Sequence, residues 1–240
     1  MHSPLEQFTV KTLIPFHIGD VDLSFTNSSL FMMISALGIF FFLGLGLRKP
    51  SVVPGRFQSL VEMAYELVST MIQDNVGHDG KRYFPFIFSI FLFVLFGNLL
   101  GMIPYAFTFT SQIILTLGLA SLVFIVVTCI GFIKHGFKFF KFFLPEGAPL
   151  FMAPILIPIE IISYLSRPIS LSIRLFANMM AGHTMLKVFA LFTMLLGIYG
   201  ISTILLNTVL IGFEVLVAFL QAYVFSVLSC LYLSDAIHMH

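Results

Sequence analysis

The residues able to do chemistry stand inside an apolar stretch. Residues 158–187 read PIEIISYLSRPISLSIRLFANMMAGHTMLK and carry Glu160, Arg167, Arg174, Asn178, His183 and Lys187. At membrane depth a charge costs at least ~3 kcal/mol, so each of these groups needs a compensating role. At about 100° of turn per residue, Glu160, Ser163, Arg167, Ser170, Arg174 and Asn178 fall on one stripe of a helix. Such a stripe should face water, protein or a counter-charge. Arg174 stands out because a guanidinium does not lose its proton inside a protein. His183 and Lys187 point towards the other side and need not share the stripe's role.

A second apolar stretch repeats the device. Asn207, Glu214 and Gln221 are seven apart and share a face with Ala218 and Phe225. Two such helices side by side would make a water-accessible path edged by Glu214 and closed by an arginine. Titratable and amide groups in a row, with an intramembrane ion pair, are the material of proton relays. The plainer alternative is that these groups pair with one another and hold helices together.

The elements that position these residues follow from composition and hydropathy. Of the 240 residues 59% are hydrophobic and 10% charged, which places the chain among integral membrane proteins. A formal charge of +1 without a basic patch or tail excludes nucleic acid as partner. Cys129 and Cys230 sit in apolar runs away from any metal-ligand spacing and read as buried, inert thiols. No cofactor is expected, and no Gly-rich phosphate loop occurs in the sequence. The first residues show neither a cleavable signal nor a transit-peptide pattern.

The expected fold is all-α, with about five to six membrane helices, two of them long and tilted, plus one amphipathic surface helix. Residues 1–27 form a partly extended or short-helical lead-in, and 30–47 a first span stopped by Arg48 and Lys49. Residues 52–76 alternate an apolar face (Phe57, Leu60, Val61, Ala64, Leu67, Val68, Met71, Ile72) with a polar, acidic one. Two spans follow within 84–133, and Asn98 in the first of them reads as a helix–helix hydrogen bond. Residues 150–233 hold two overlong apolar stretches after the turn-rich LPEGAP at 144–149. The first of these either folds back or runs strongly tilted, with Pro154, Pro158 and Pro168 loosening its ladder. Lys and Arg counts put the loops around 48–56, 81–82 and 134–141 on the inner side and the N-terminus outside.

The motifs SRPISLSIRLFANMMAGH (166–183) and FLQAYVFSVLSCLYLSDAIHMH (219–240) resemble subunit a of the F-type rotary ATP synthase. SFTNSSLFM (24–32), FGNLLGMIPYAFTFTS (96–111) and GFIKHGFKFFKFFLPEGAP (131–149) support the resemblance across the chain as one unit. It implies that Arg174 matches the family's essential arginine, facing the carboxylate of the rotating c-ring. It also implies that Asn178, His183, Glu214 and Gln221 belong to the outer half-channel, and Glu160, Ser163 and Ser170 to the inner exit region. The translocated ion would be H+, and the partners would be the c-ring, the peripheral stalk subunit b, the lipid bilayer and, indirectly, the catalytic sector. The membrane would be a bacterial or mitochondrial inner membrane, since LSDAIHMH and SFTNSS look like alphaproteobacterial and mitochondrially encoded relatives. Two departures stand out. His183 and Glu214 exchange the acid and histidine of some bacterial relatives, and Gly101 stands where some relatives have an acid.

A proton-coupled secondary transporter of an anionic substrate, using Glu160, Arg174 and Glu214, is the competing reading. It predicts paired repeats and a self-contained cavity, whereas no internal repeat is found. A membrane hydrolase has no support in motif spacing.

Overall fold

The computed structural model describes residues 9–15, 17–18, 21–22, 24–48, 51–103, 106–136, 139, 153–196 and 200–238. Within them, α1 (Asn27–Leu47), α2 (Arg56–Asn75), α3 (Phe84–Gly101), α4 (Ile113–His135), α5 (Ala153–Leu195) and α6 (Gly200–Ile237) make up the fold. All but α2 belong to spans long and apolar enough to cross a membrane.

The lead-in is extended. The short strands β1 (Thr12–Ile14) and β4 (Phe25–Thr26) pair antiparallel, as do β2 (His17–Ile18) and β3 (Val21–Asp22) between them. Asn27 fastens this ribbon to α1, accepting from the Lys11 amide at 3.1 Å and donating to the Thr9 carbonyl at 3.3 Å. The Thr26 hydroxyl caps the helix by accepting from the Ser29 amide.

The amphipathic α2 buries Val61, Val68, Met71 and Ile72 against its neighbours in this chain, while Phe57, Leu60 and Met63 stay exposed. Its apolar face therefore packs on α1, α3 and α6. Helix α3 lies deep in the assembly, with Ile87, Phe91, Leu92 and Val94 buried in the same cluster. Asn98 donates to the Ala218 carbonyl of α6 at 3.2 Å and is fully buried, which makes it a helix–helix contact.

Helix α5 is continuous. It does not fold back, and Pro158 and Pro168 lie within it. At 1.5 Å per residue its 43 residues extend about 64 Å, twice the hydrocarbon thickness of a bilayer, so it runs steeply tilted or projects beyond the core. The 38 residues of α6 give about 57 Å on the same scale.

The two long helices are antiparallel and laced together along their length: Thr193 to Thr203 at 2.8 Å, His183 to Glu214 at 3.5 Å, Asn178 to Gln221 at 2.8 Å and Arg167 to Asp235 at 2.7 Å. Helix α4 braces α5 through Thr116 to Ser172 at 3.1 Å and Thr128 to Tyr164 at 2.7 Å. The Lys134–Asp79 ion pair and the His135 contact with the Ile237 carbonyl put the end of α4, the 78–83 turn and the end of α6 on one side.

One thiol departs from the expectation. Cys230 is buried, but Cys129 is exposed on the outer surface of α4, because the buried face of that helix runs through Ala120, Val123 and Val127. Lys49, Pro104, Lys138, Lys141 and the 144–149 turn lie outside the described residues.

Candidate functional site

Arg174 is the midpoint of α5, twenty-one residues from either end. Its side chain is exposed on the surface of the chain, whereas Leu171, Leu175 and Met179, centred about 100° further round the helix, are buried. Among the described residues no carboxylate pairs with it. Arg167, two turns nearer the start of α5, is bound instead. Its Nη1 donates to Asp235 Oδ2 at 2.7 Å, and the guanidinium lies over the rings of Tyr164 and Tyr232 at 5.5 and 5.3 Å.

On the other side of Arg174 the two long helices share polar pairs. The Asn178 amide donates to Gln221 Oε1 at 2.8 Å. His183 Nδ1 lies 3.5 Å from Glu214 Oε1, with both side chains largely enclosed. At 1.5 Å per residue, Asn178 lies about 6 Å and His183 about 14 Å along α5 from Arg174. The i, i+7 face of α6 explains the pairing, since Glu214, Ala218, Gln221 and Phe225 are all buried there.

Close approach at this level depends on Gly182. A Cβ there would stand 2.7 Å from Glu214 Oε1, closer than real contacts allow. A cleft of about 510 Å³ opens between the helices, walled by Asn178, Gly182, Glu214 and Gln221 among apolar side chains. His183 is not part of that wall. Glu214 thus stands between the cleft on one side and His183 on the other. Both Glu214 carboxylate oxygens and Gln221 Nε2 are buried without a hydrogen-bond partner among the described residues. Buried oxygens of this kind invite water or a proton.

The set proposed for the inner end is not brought together. Ser163 and Ser170 are exposed, Glu160 is half-buried, and no side-chain hydrogen bond joins them among the described residues. The Ser163 carbonyl accepts the Ser166 hydroxyl at 2.7 Å beside Pro168. His183, which helical phase put away from the stripe, reaches Glu214 because α6 wraps that side of α5. No role for Asp235, Tyr164 or Thr108 was legible in the sequence. An acid near the C-terminal end of α6 was a usable signal for Asp235, while Thr108 sits in an uncharged stretch that offered none.

Residues 29–234 match the family described as ATP synthase A chain. The chain is 55% identical to an ATP synthase subunit a from Rhodospirillum rubrum over all of both chains. It is 55% identical to that of Pelagibacter ubique, covering 99% of this chain and 98% of the relative. The Rhizobium rhizogenes subunit a is 53% identical with the same coverage. The chain belongs to the ATP synthase A chain family. Membership makes it a multi-pass membrane component of a multisubunit ATP synthase, in the sector that moves protons for ATP synthesis.

Proposed function

We propose that this chain is the stator half of the proton path, offering two offset half-channels to a carboxylate carried on a rotating c-ring. Arg174 is the gate. Its permanent charge in a low dielectric attracts a passing carboxylate, promotes loss of that group's proton and blocks direct leakage between the half-channels. His183, Glu214, Asn178 and Gln221 line the outer half-channel, and Glu160, Ser163 and Ser170 border the inner one. Each proton crossing ~100 mV releases about 2.3 kcal/mol, so several are needed per ATP. The peripheral stalk subunit b would hold the chain still, and nucleotide chemistry would lie on the catalytic sector. The membrane is a bacterial or mitochondrial inner membrane, and the bacterial relatives favour the former.

The observation that carries this reading is the contrast in compensation: Arg174 is exposed at the centre of α5 without a carboxylate among the described residues, while Arg167 on nearly the same face has one. A charge left so needs a counter-charge from another chain. The test is ATP-driven proton pumping, followed by a pH-sensitive dye, in vesicles holding the assembled complex with Arg174 or Arg174→Ala. Pumping should fall to background with assembly intact. Pumping near the normal rate would make Arg174 a packing residue and remove the gate.

A further inference from the structure

The stretch between α3 and α4 carries no charge, yet it places one hydroxyl at the polar core. Thr108 is 5% exposed. Its Oγ1 donates to the Gly101 carbonyl at the end of α3 at 3.1 Å and lies 3.2 Å from His183 Nε2. Ser111 in turn donates to the Thr108 carbonyl at 2.6 Å and stiffens the turn.

A hydroxyl has one hydrogen, and a carbonyl can only accept. With that hydrogen spent on Gly101, Thr108 Oγ1 can only accept from His183, which requires the proton of the neutral ring to be on Nε2. The lone pair is then on Nδ1, and Nδ1 is the atom 3.5 Å from Glu214 Oε1. We propose that Thr108 is a positioning residue that holds His183 as its Nε2–H tautomer, so that Nδ1 is the atom that exchanges a proton with Glu214. This rests on the proton-path reading above and assigns it one atom.

The step balances without a further reactant. The Glu214 carboxyl gives its proton to Nδ1, leaving a carboxylate beside an imidazolium that donates at Nδ1 to Glu214 and at Nε2 to Thr108. Return of the proton restores the neutral pair. The ionisable groups around the ring are Glu214 from α6 and Lys187 one turn along α5, and residues 106–112 contribute none. Gly101 makes room for the arrangement: a Cβ there would stand 2.5 Å from Thr108 Cγ2, so a side chain at 101 would displace the hydroxyl from His183.

The test reads the tautomer directly. The assembled complex is prepared with 15N-labelled histidine in this subunit, and the His183 signals are identified as those lost in His183→Gln. The neutral ring should show Nε2 protonated and Nδ1 bare. Thr108→Val, which keeps the shape, should mix the tautomers and lower pumping by about tenfold, the scale of a disturbed proton-transfer group. Thr108→Ser should restore both. A ring protonated on Nδ1 in the natural protein, or one unchanged in Thr108→Val, overturns the assignment. If instead Arg174→Ala leaves pumping intact while the tautomer behaves as stated, the proton-path reading fails and the positioning by Thr108 stands.

Discussion

Arg167 and Arg174 are seven residues apart, within about 20° of one another around α5, yet the regions they occupy are built differently. Around Arg167 the structure closes. Asp235 neutralises it, Tyr164 and Tyr232 cover its faces, and Thr128 ties Tyr164 to α4. Around Arg174 it opens. The register set by Asn178–Gln221 and Arg167–Asp235 puts α6 residues near Ser226 level with it, and the Ser226 hydroxyl is spent on the Ala222 carbonyl of its own helix. The opposing helix therefore supplies a counter-charge at one level and withholds it two turns away. A buried or half-buried ion pair locks helices together, while a charge without a carboxylate among the described residues leaves its face of the helix open to a counter-charge from elsewhere.

The largest effect tests the open region beyond Arg174. Glu214→Gln keeps the shape of the side chain and removes its titration. Proton pumping by the assembled complex should drop by about a hundredfold or more, the scale of losing a positioned proton-transfer group. Normal pumping would show that protons bypass the His183–Glu214 pair.

Arg167→Met sharpens the contrast from the closed side. It leaves Asp235 without its partner and takes the cation from between two tyrosines, costing roughly 1–3 kcal/mol, between the exposed and buried cases. The expected result is less assembled complex on native gels and a lower Tm, with pumping per assembled complex retained. Assembly at the natural level with pumping lost would place Arg167 on the proton path beside Arg174.

The sequence made part of this division legible. Hydropathy located the long helices, and seven-residue spacing found the buried face of α6, because burial in lipid leaves so few polar residues that each one marks a face. Helical phase could not separate Arg167 from Arg174, since what differs is Asp235, sixty-eight residues away. For the same reason it turned His183 away from a partner that α6 brings round. Continuity of α5 through Pro168 was likewise undecidable, because a membrane helix can tolerate a lost backbone hydrogen bond where neighbouring groups compensate. Thr108 was silent because one uncharged hydroxyl in a short connection has no periodicity to betray it.

A smaller effect is expected where the open region is held at its working distance. Gly182→Ala would set a methyl 2.7 Å from Glu214 Oε1 and 3.2 Å from its Cδ. Either the carboxylate swings away from His183 or the helices part, and pumping should fall roughly tenfold through misplacement alone. Gly118→Ala on α4, where a Cβ meets open space, is the matched control and should behave as the natural protein. Equal losses in both would mean that helix flexibility, not the Gly182–Glu214 approach, sets the rate.

The smallest effect belongs to the outer brace of the closed region. The Thr128 hydroxyl donates to the Phe124 carbonyl at 2.7 Å, so Tyr164 must be the donor in its 2.7 Å bond to Thr128. Tyr164→Phe removes that donor and keeps the ring beneath Arg167. Thr128 stays satisfied by Phe124, so no buried polar group is orphaned and the cost should be about 1 kcal/mol. Tyr164→Leu also removes the ring from the cation, about 1 kcal/mol more, and from its contact with Phe124. In an Arg167→Met background the cation part of that extra loss should vanish while the hydrogen-bond loss and the lost ring contact with Phe124 persist, a double-mutant cycle readable from the Tm of the complex. If the two losses simply add, the tyrosine is packing on α4 alone, and the closure around Arg167 rests on Asp235.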